Sequence, residues 1–194
     1  MSDPIEVLDF WLGDIGPEGW YLGSEEIDDA CAVRFGDLWQ ALQDGGLEHW
    51  VEGVAGTLAY IIVADQFSRN IHRGTAKAFA TDEQARAAAR RALENGWDMQ
   101  APVPERQFFY MPFEHSEDPA DQDRAVALMA ERMEGDADLL LHARAHQKVI
   151  ARFGRFPFRN QALGRDSSDE EQAFLDSGGY VSVVRALQSH AQGA

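Results

Sequence analysis

Apolar residues recur at spacings of three and four along almost all of this chain, and no series of segments shows the alternation of period two that half-buried strands require. That pattern confines the chain to an all-α fold. The punctuation is helical as well. Asp3 before Pro4 is an N-cap with proline at the first helical position, opening a short helix with Ile5, Leu8 and Leu12 on one face. Ser24 begins a second helix, whose Ile27, Cys31, Phe35, Leu38 and Leu42 form a stripe, and Gly45 and Gly46 end it. Residues 53–71 are predicted as a third. Thr81 with Gln84 reads as a capping box for an Ala- and Arg-rich helix stopped by Asn95 and Gly96. After Pro102 and Pro104, residues 106–114 read as one or two short aromatic-rich helices broken near Pro112. Asp118 and Pro119 repeat the opening signature for a helix to about Glu134. Asp136 precedes the next helix, which runs to Phe153 and ends at Gly154. Ser168 and Glu171 form the last capping box, and the β-branched stretch 181–184 after Gly178 and Gly179 still reads as helical. About eight helices are expected, with no dependable repeat of tetratricopeptide length.

Length permits one all-helical domain over residues 1–194, with room for two subregions, burying about 70% of the surface of the unfolded chain. No metal or disulfide staple is needed. Cys31 is the lone cysteine, and its apolar i±4 neighbours Ile27 and Phe35 predict a buried structural thiol in a reducing compartment. The amino terminus lacks a basic leader region, and the longest strongly apolar run, 58–64, is too short to span a bilayer. A soluble, cytoplasmic protein without a membrane partner is expected. The formal charge of −16 and pI near 4.6 argue against nucleic acid as a main partner.

Against that charge, nine of the seventeen Lys and Arg residues lie in two stretches without any carboxylate, 66–81 and 139–165. Segregation of this kind builds a local positive surface suited to an anion. In the first stretch, a helical wheel puts Asp65, Arg69 and Arg73 on the side of Leu58 and Ile62, so these charges are expected to face inward. Asp65 and Arg69 then pair at i, i+4, which leaves Arg73 in need of an anion.

His142 and His146 share a helix with Leu139, Val149, Ile150 and Phe153 on their face, and Arg144, Lys148 and Arg152 lie opposite. Both rings are expected to face the core as an interior hydrogen-bonded pair. A zincin would need Glu after the first His, where Ala143 stands, so no metal is assigned. His115 offers a third ligand or a general base if the fold brings it near. In the loop that follows, Arg152, Arg155, Arg159 and Arg165 alternate with aromatics around Gly154 and Pro157. Guanidinium forks held by rings suit phosphate or carboxylate.

The segments DQFSRN (65–70), FFYMPFEHSED (108–118) and RFGRFPFRNQALGR (152–165), the last followed by SSDEE (167–171), resemble a widespread bacterial domain-of-unknown-function family, family 924, over nearly the whole chain. The resemblance implies antiparallel helical hairpins in a tetratricopeptide-like, right-handed superhelical arrangement without a consensus repeat, and no established reaction. The family pattern usually has Pro where this chain has Ser68 and His where it has Phe158, which weakens any metal or His-catalysed reading built on the loop. Asp65, Gln66, Arg69, Asn70, His115, Ser116, His146, Arg152, Arg155, Arg159, Asn160 and Arg165 match the family motifs position by position.

The leading expectation is a small phosphate- or carboxylate-bearing ligand in a cleft lined by Arg69, Arg73, Arg155, Arg159 and Asn160, with Tyr110 and His115 as polar or stacking partners. One alternative is a scaffold for an acidic peptide or partner helix. Another is a hydrolase-like enzyme with His115 or His146 as general base and arginines steadying an oxyanionic transition state. The chain has no nucleophile elbow, phosphate loop or complete metal set, and no cofactor is assigned. The abundant Trp and Phe suit a homo-oligomeric patch as readily as a core.

Overall fold

The longer helices start where the sequence puts them. The computed structural model describes residues 3–133 and 135–192, and among these no strand occurs. Asp3 accepts from the Ile5 amide to start α1 (Pro4–Leu8), and the chain continues through a π-helical stretch, Asp9–Ile15, into α2 (Gly16–Gly19). The succeeding helices are α3 (Glu25–Gln43), α4 (Val54–Ile61), a second π-helical stretch, Ile62–Phe67, α5 (Ser68–Ile71) and α6 (Asp82–Glu94). After α7 (Met111–Glu114) come α8 (Pro119–Arg132), α9 (Ala137–Phe153), α10 (Asp169–Asp176) and α11 (Gly179–Gln192). The end expected near Glu134 lies outside the described residues. No helix among them is long and apolar enough to cross a membrane.

The chain divides into two compact units, Met1–Pro112 and Phe113–Ala194. In the first, α3 packs on the second π-helical stretch and α5, and α4 packs on α1 and α6. Residues 57–68 are buried all round, as expected of a helix without a solvent face. Phe35 and Phe67 stack with centroids 4.8 Å apart, Phe10 lies 5.2 Å from Phe35, and Trp11 meets Phe67 edge-on at 5.4 Å. Gly56 brings α4 against the turn before it: a Cβ there would lie 2.2 Å from the Trp50 carbonyl oxygen. Cys31 is fully buried, and burial, with Asp28 adding to it, pushes its thiol up to about 12.

The π-helical stretch corrects one sequence expectation. Thr81 does not cap its own helix. Its buried hydroxyl donates to the Ala64 carbonyl (2.6 Å), inside the π-helical stretch, and accepts from Trp39 Nε1 (3.3 Å). Gln84 likewise turns away from a capping box and donates to the Leu42 and Gln43 carbonyls at the end of α3. Wider i→i+5 winding disturbs the regular backbone ladder, and tertiary acceptors outcompete the local cap for both side chains.

In the second unit α8 packs on α9 across a short connection, as a helical hairpin, and α9 packs on α11. Asp118 caps α8, Asp136 caps α9, and Ser168 with Glu171 completes both halves of the capping box of α10. Gly154 ends α9 at φ 67°, a left-handed conformation that favours glycine. Val149, Ile150, Phe156 and Phe174 form a core joined by Phe153, Leu175 and Val183.

Candidate functional site

Each arginine of the acid-free stretches singled out by sequence meets a partner of its own unit. Arg69 Nη1 lies 3.0 Å from Asp65 and 3.1 Å from Asp82, and also donates to the Asp65 backbone carbonyl (2.6 Å). Gln66 donates to the other Asp65 oxygen (2.6 Å). The inward Asp65–Arg69 pair is therefore present. Arg73 departs from expectation: its side chain is 53% exposed and forks onto Asp28 of α3 at 2.5 and 2.7 Å, where Asn70 also donates (2.8 Å). The π-helical stretch explains the difference, because extra residues per turn rotate everything after it off a wheel drawn at 3.6. Hydrogen bonds from Arg73 and Asn70 hold the Asp28 carboxyl below the usual range against the opposing pull of burial. Tyr110 is fully buried and donates to Asp98 (2.8 Å).

In the second unit, Arg155 grips Glu171 with Nε (2.6 Å) and Nη2 (2.8 Å). Glu171 also accepts from the Ser168 amide (2.8 Å), and these bonds hold its carboxyl at about 2. Arg165 forks onto Glu117 (2.7 and 3.0 Å) and donates to Asn160 (3.0 Å), which donates to Ser167 (3.1 Å). Glu117 further accepts from the Phe156 amide (2.8 Å). Burial pulls the Glu117 carboxyl up, and Arg165 and that amide more than offset it. Arg152 pairs with Glu170 at the surface, and Arg159, over the Phe156 ring, donates to the His115 carbonyl (2.9 Å). The loop's arginines thus bind the FEHSED turn and the SSDEE cap together.

The histidines gather around a carboxylate that the sequence reading passed over. Glu114 ends α7, and its buried Oε1 lies 2.8 Å from His146 Nδ1 on α9. The same Nδ1 lies 3.0 Å from the His142 backbone carbonyl. Neither acceptor carries a proton, so Nδ1 must be the protonated nitrogen, and in the neutral ring Nε2 holds the lone pair. Among the described residues no hydrogen bond reaches Nε2 of His146. Burial would raise the Glu114 carboxyl, yet the charge and hydrogen bond of His146, with smaller contributions from His115 and His142, keep it below the usual range.

Rings enclose this pair. Tyr180 lies 4.6 Å from the His146 centroid, Phe156 5.5 Å and His115 6.0 Å. His142 is exposed rather than core-facing, stacked on Tyr180, whose hydroxyl is 2.6 Å from His142 Nδ1. It stands one turn closer to the helix start than His146. Among the described residues no group of three or more His, Cys, Asp or Glu is arranged to hold a metal ion. His115 and His146 do come together, and Ser116 lies buried in the same turn. Glu114 had a sequence signal, an acid beside His115 in an aromatic-rich segment, whereas Tyr180 had none.

A model of the family described as bacterial protein of unknown function (DUF924) matches residues 7–179. The chain is similar to a solved structure of a protein of unknown function, ATU0120, from Agrobacterium tumefaciens, with 38% identity and a TM-score of 0.84 over 90% of this chain and 97% of that one. No curated protein matches.

Proposed function

We propose, for a chain that belongs to the bacterial DUF924 family of proteins of unknown function, a small-molecule site in the second unit where His146 acts as general base. The observation that carries this reading is the division of labour on one imidazole. Nδ1–H is committed to buried Glu114 and the His142 carbonyl, and Nε2 is left to accept a proton. An imidazole oriented by a carboxylate is the arrangement that fixes the tautomer and steadies the imidazolium formed in the reaction. The proton donor would be water or a substrate hydroxyl, which gives hydrolysis or transfer to a hydroxyl as the reaction class. The aromatic surround of Tyr180, Phe156 and His115 suits a partly apolar substrate. NMR of ¹⁵N-labelled histidine tests the base directly: His146 should be protonated at Nδ1 when neutral, and the Nδ1 shift should move in Glu114→Gln as the charged acceptor is lost. A panel of phosphoester, ester and amide substrates then follows, with any turnover lost in His146→Gln. Turnover that survives His146→Gln would remove the base from consideration.

The anion reading is a second proposal and carries less weight. A ligand held by Asp65, Gln66, Arg69, Asn70, Arg73 and Tyr110, or by Arg152, Arg155, Arg159, Asn160 and Arg165, must compete with carboxylates and carbonyls already in place. Arg152 is the most open to exchange, since its side chain is 53% exposed and that of Glu170 65%. Saturable stabilisation by phosphate or a dicarboxylate, lost in Arg152→Ala, would support it. A scaffold for an acidic peptide would draw on the same arginines and meet the same competition.

A further inference from the structure

A buried carboxamide is retained where its hydrogen bonds are needed, and Gln122, in the first turns of α8, is fully buried. Its Nε2 donates to the carbonyl oxygens of Glu114 (2.6 Å) and Ser116 (2.6 Å), with that of Phe113 at 3.4 Å. These carbonyls close α7 and the turn after it, where a helix end leaves acceptors without intrahelical partners. Among the described residues no hydrogen bond reaches Gln122 Oε1, so the side chain pays a desolvation penalty that Leu or Met of similar volume would avoid. The amino group must therefore supply something an apolar side chain cannot. Arg159 holds the carbonyl of His115 between them, and the Ser116 hydroxyl accepts from the Asp118 amide (3.2 Å). Carbonyls 114, 115 and 116 are thus each gripped by a side chain, on the residue whose carboxylate meets His146 and on the two that follow.

We infer that Gln122 is a positioning residue for the Glu114–His146 pair, clamping the 113–116 turn so that the Glu114 carboxylate lands on imidazole Nδ1. The inference rests on the general-base reading above. Gln122 touches neither imidazole nor carboxylate; it acts through the backbone of Glu114 and Ser116.

The test is histidine ¹⁵N NMR together with carboxyl ¹³C NMR of Glu114 on the wild type and Gln122→Leu. The wild type should show Nδ1–H at His146. In Gln122→Leu the His142 carbonyl should keep the proton on Nδ1 while its ¹⁵N shift moves, and the Glu114 titration should move up toward the ordinary range. A folded Gln122→Leu protein with unchanged Nδ1 shift and unchanged titration would overturn the inference, since an amide that only caps carbonyls alters stability without touching the imidazole. Should Gln122→Leu fail to fold, Gln122→Asn, one methylene short of both carbonyls, is read by the same two signals with the same meaning. A wild type already in the Nε2–H form would overturn the general-base reading and this inference with it, so the two failures are told apart.

Discussion

Arg69→Leu is the sharpest probe of the first unit. The side chain is 20% exposed, its partner Asp65 only 1% and Asp82 12%, and its Nη1 also meets the Asp65 carbonyl within the π-helical stretch. Leucine keeps the apolar packing but takes the guanidinium away from a charged, buried Asp65, while Gln66 goes on donating to it. Breaking a buried pair from one side costs about 3–5 kcal/mol. With a urea slope of about 2 kcal/mol/M, the midpoint should fall by about 1.5–2.5 M. All five Trp residues, 11, 20, 39, 50 and 97, lie in the first unit, so tryptophan fluorescence during urea unfolding reports the unit that carries the substitution. Asp65→Asn added to Arg69→Leu should recover on the order of half the loss, because the deeper orphaned charge is gone while Asp82 stays unpaired by Arg69. A single-variant midpoint within about 0.3 M of wild type would mean the pair behaves as an exposed ion pair and would refute the argument.

Gly56→Ala should destabilise the first unit by about 1–3 kcal/mol, since its new methyl meets the Trp50 backbone oxygen, which cannot rotate away; an unchanged melting temperature would contradict the close approach. Cys31 should resist thiol reagents at pH 8–9 in the folded protein and react on unfolding, because its thiol stays protonated far above that range; rapid native labelling would contradict its burial. The Arg155–Glu171 clasp should survive to low pH. Its carboxyl is lowered from 4.5 to about 2 on folding, so its contribution is full above pH 4.5 and is lost as pH falls through about 2. Protection of the Ser168 amide against hydrogen exchange should therefore persist at pH 4 and vanish in Glu171→Ala at the same pH.

Local chemistry made much of the fold legible. Asp3, Asp118, Asp136, Ser168 and Gly154 act within a few residues of themselves, and each begins or ends its helix as read from the chain. The burial of the apolar run 58–64 and the inward Asp65–Arg69 pair also follow from composition and spacing alone. The two π-helical stretches were not legible, because their winding is set by what packs around them. The second of them, Ile62–Phe67, undid the wheel argument for Arg73 and drew Thr81 from its cap to the Ala64 carbonyl.

The candidate site divides along the same line. Sequence alone nominated His115, His146 and the arginines of the loop, and predicted a buried Cys31 in an all-helical chain. Tertiary structure decided which charge met which. It brought carboxylates from outside the two acid-free stretches, Asp28, Asp82, Glu117 and Glu171, onto the arginines within them, and set Glu114 against His146 across 32 positions. Charge segregation along a chain states only that partners must come from elsewhere. Whether the partner is a ligand or the protein's own carboxylate depends on long-range packing, which spacing within one helix cannot encode.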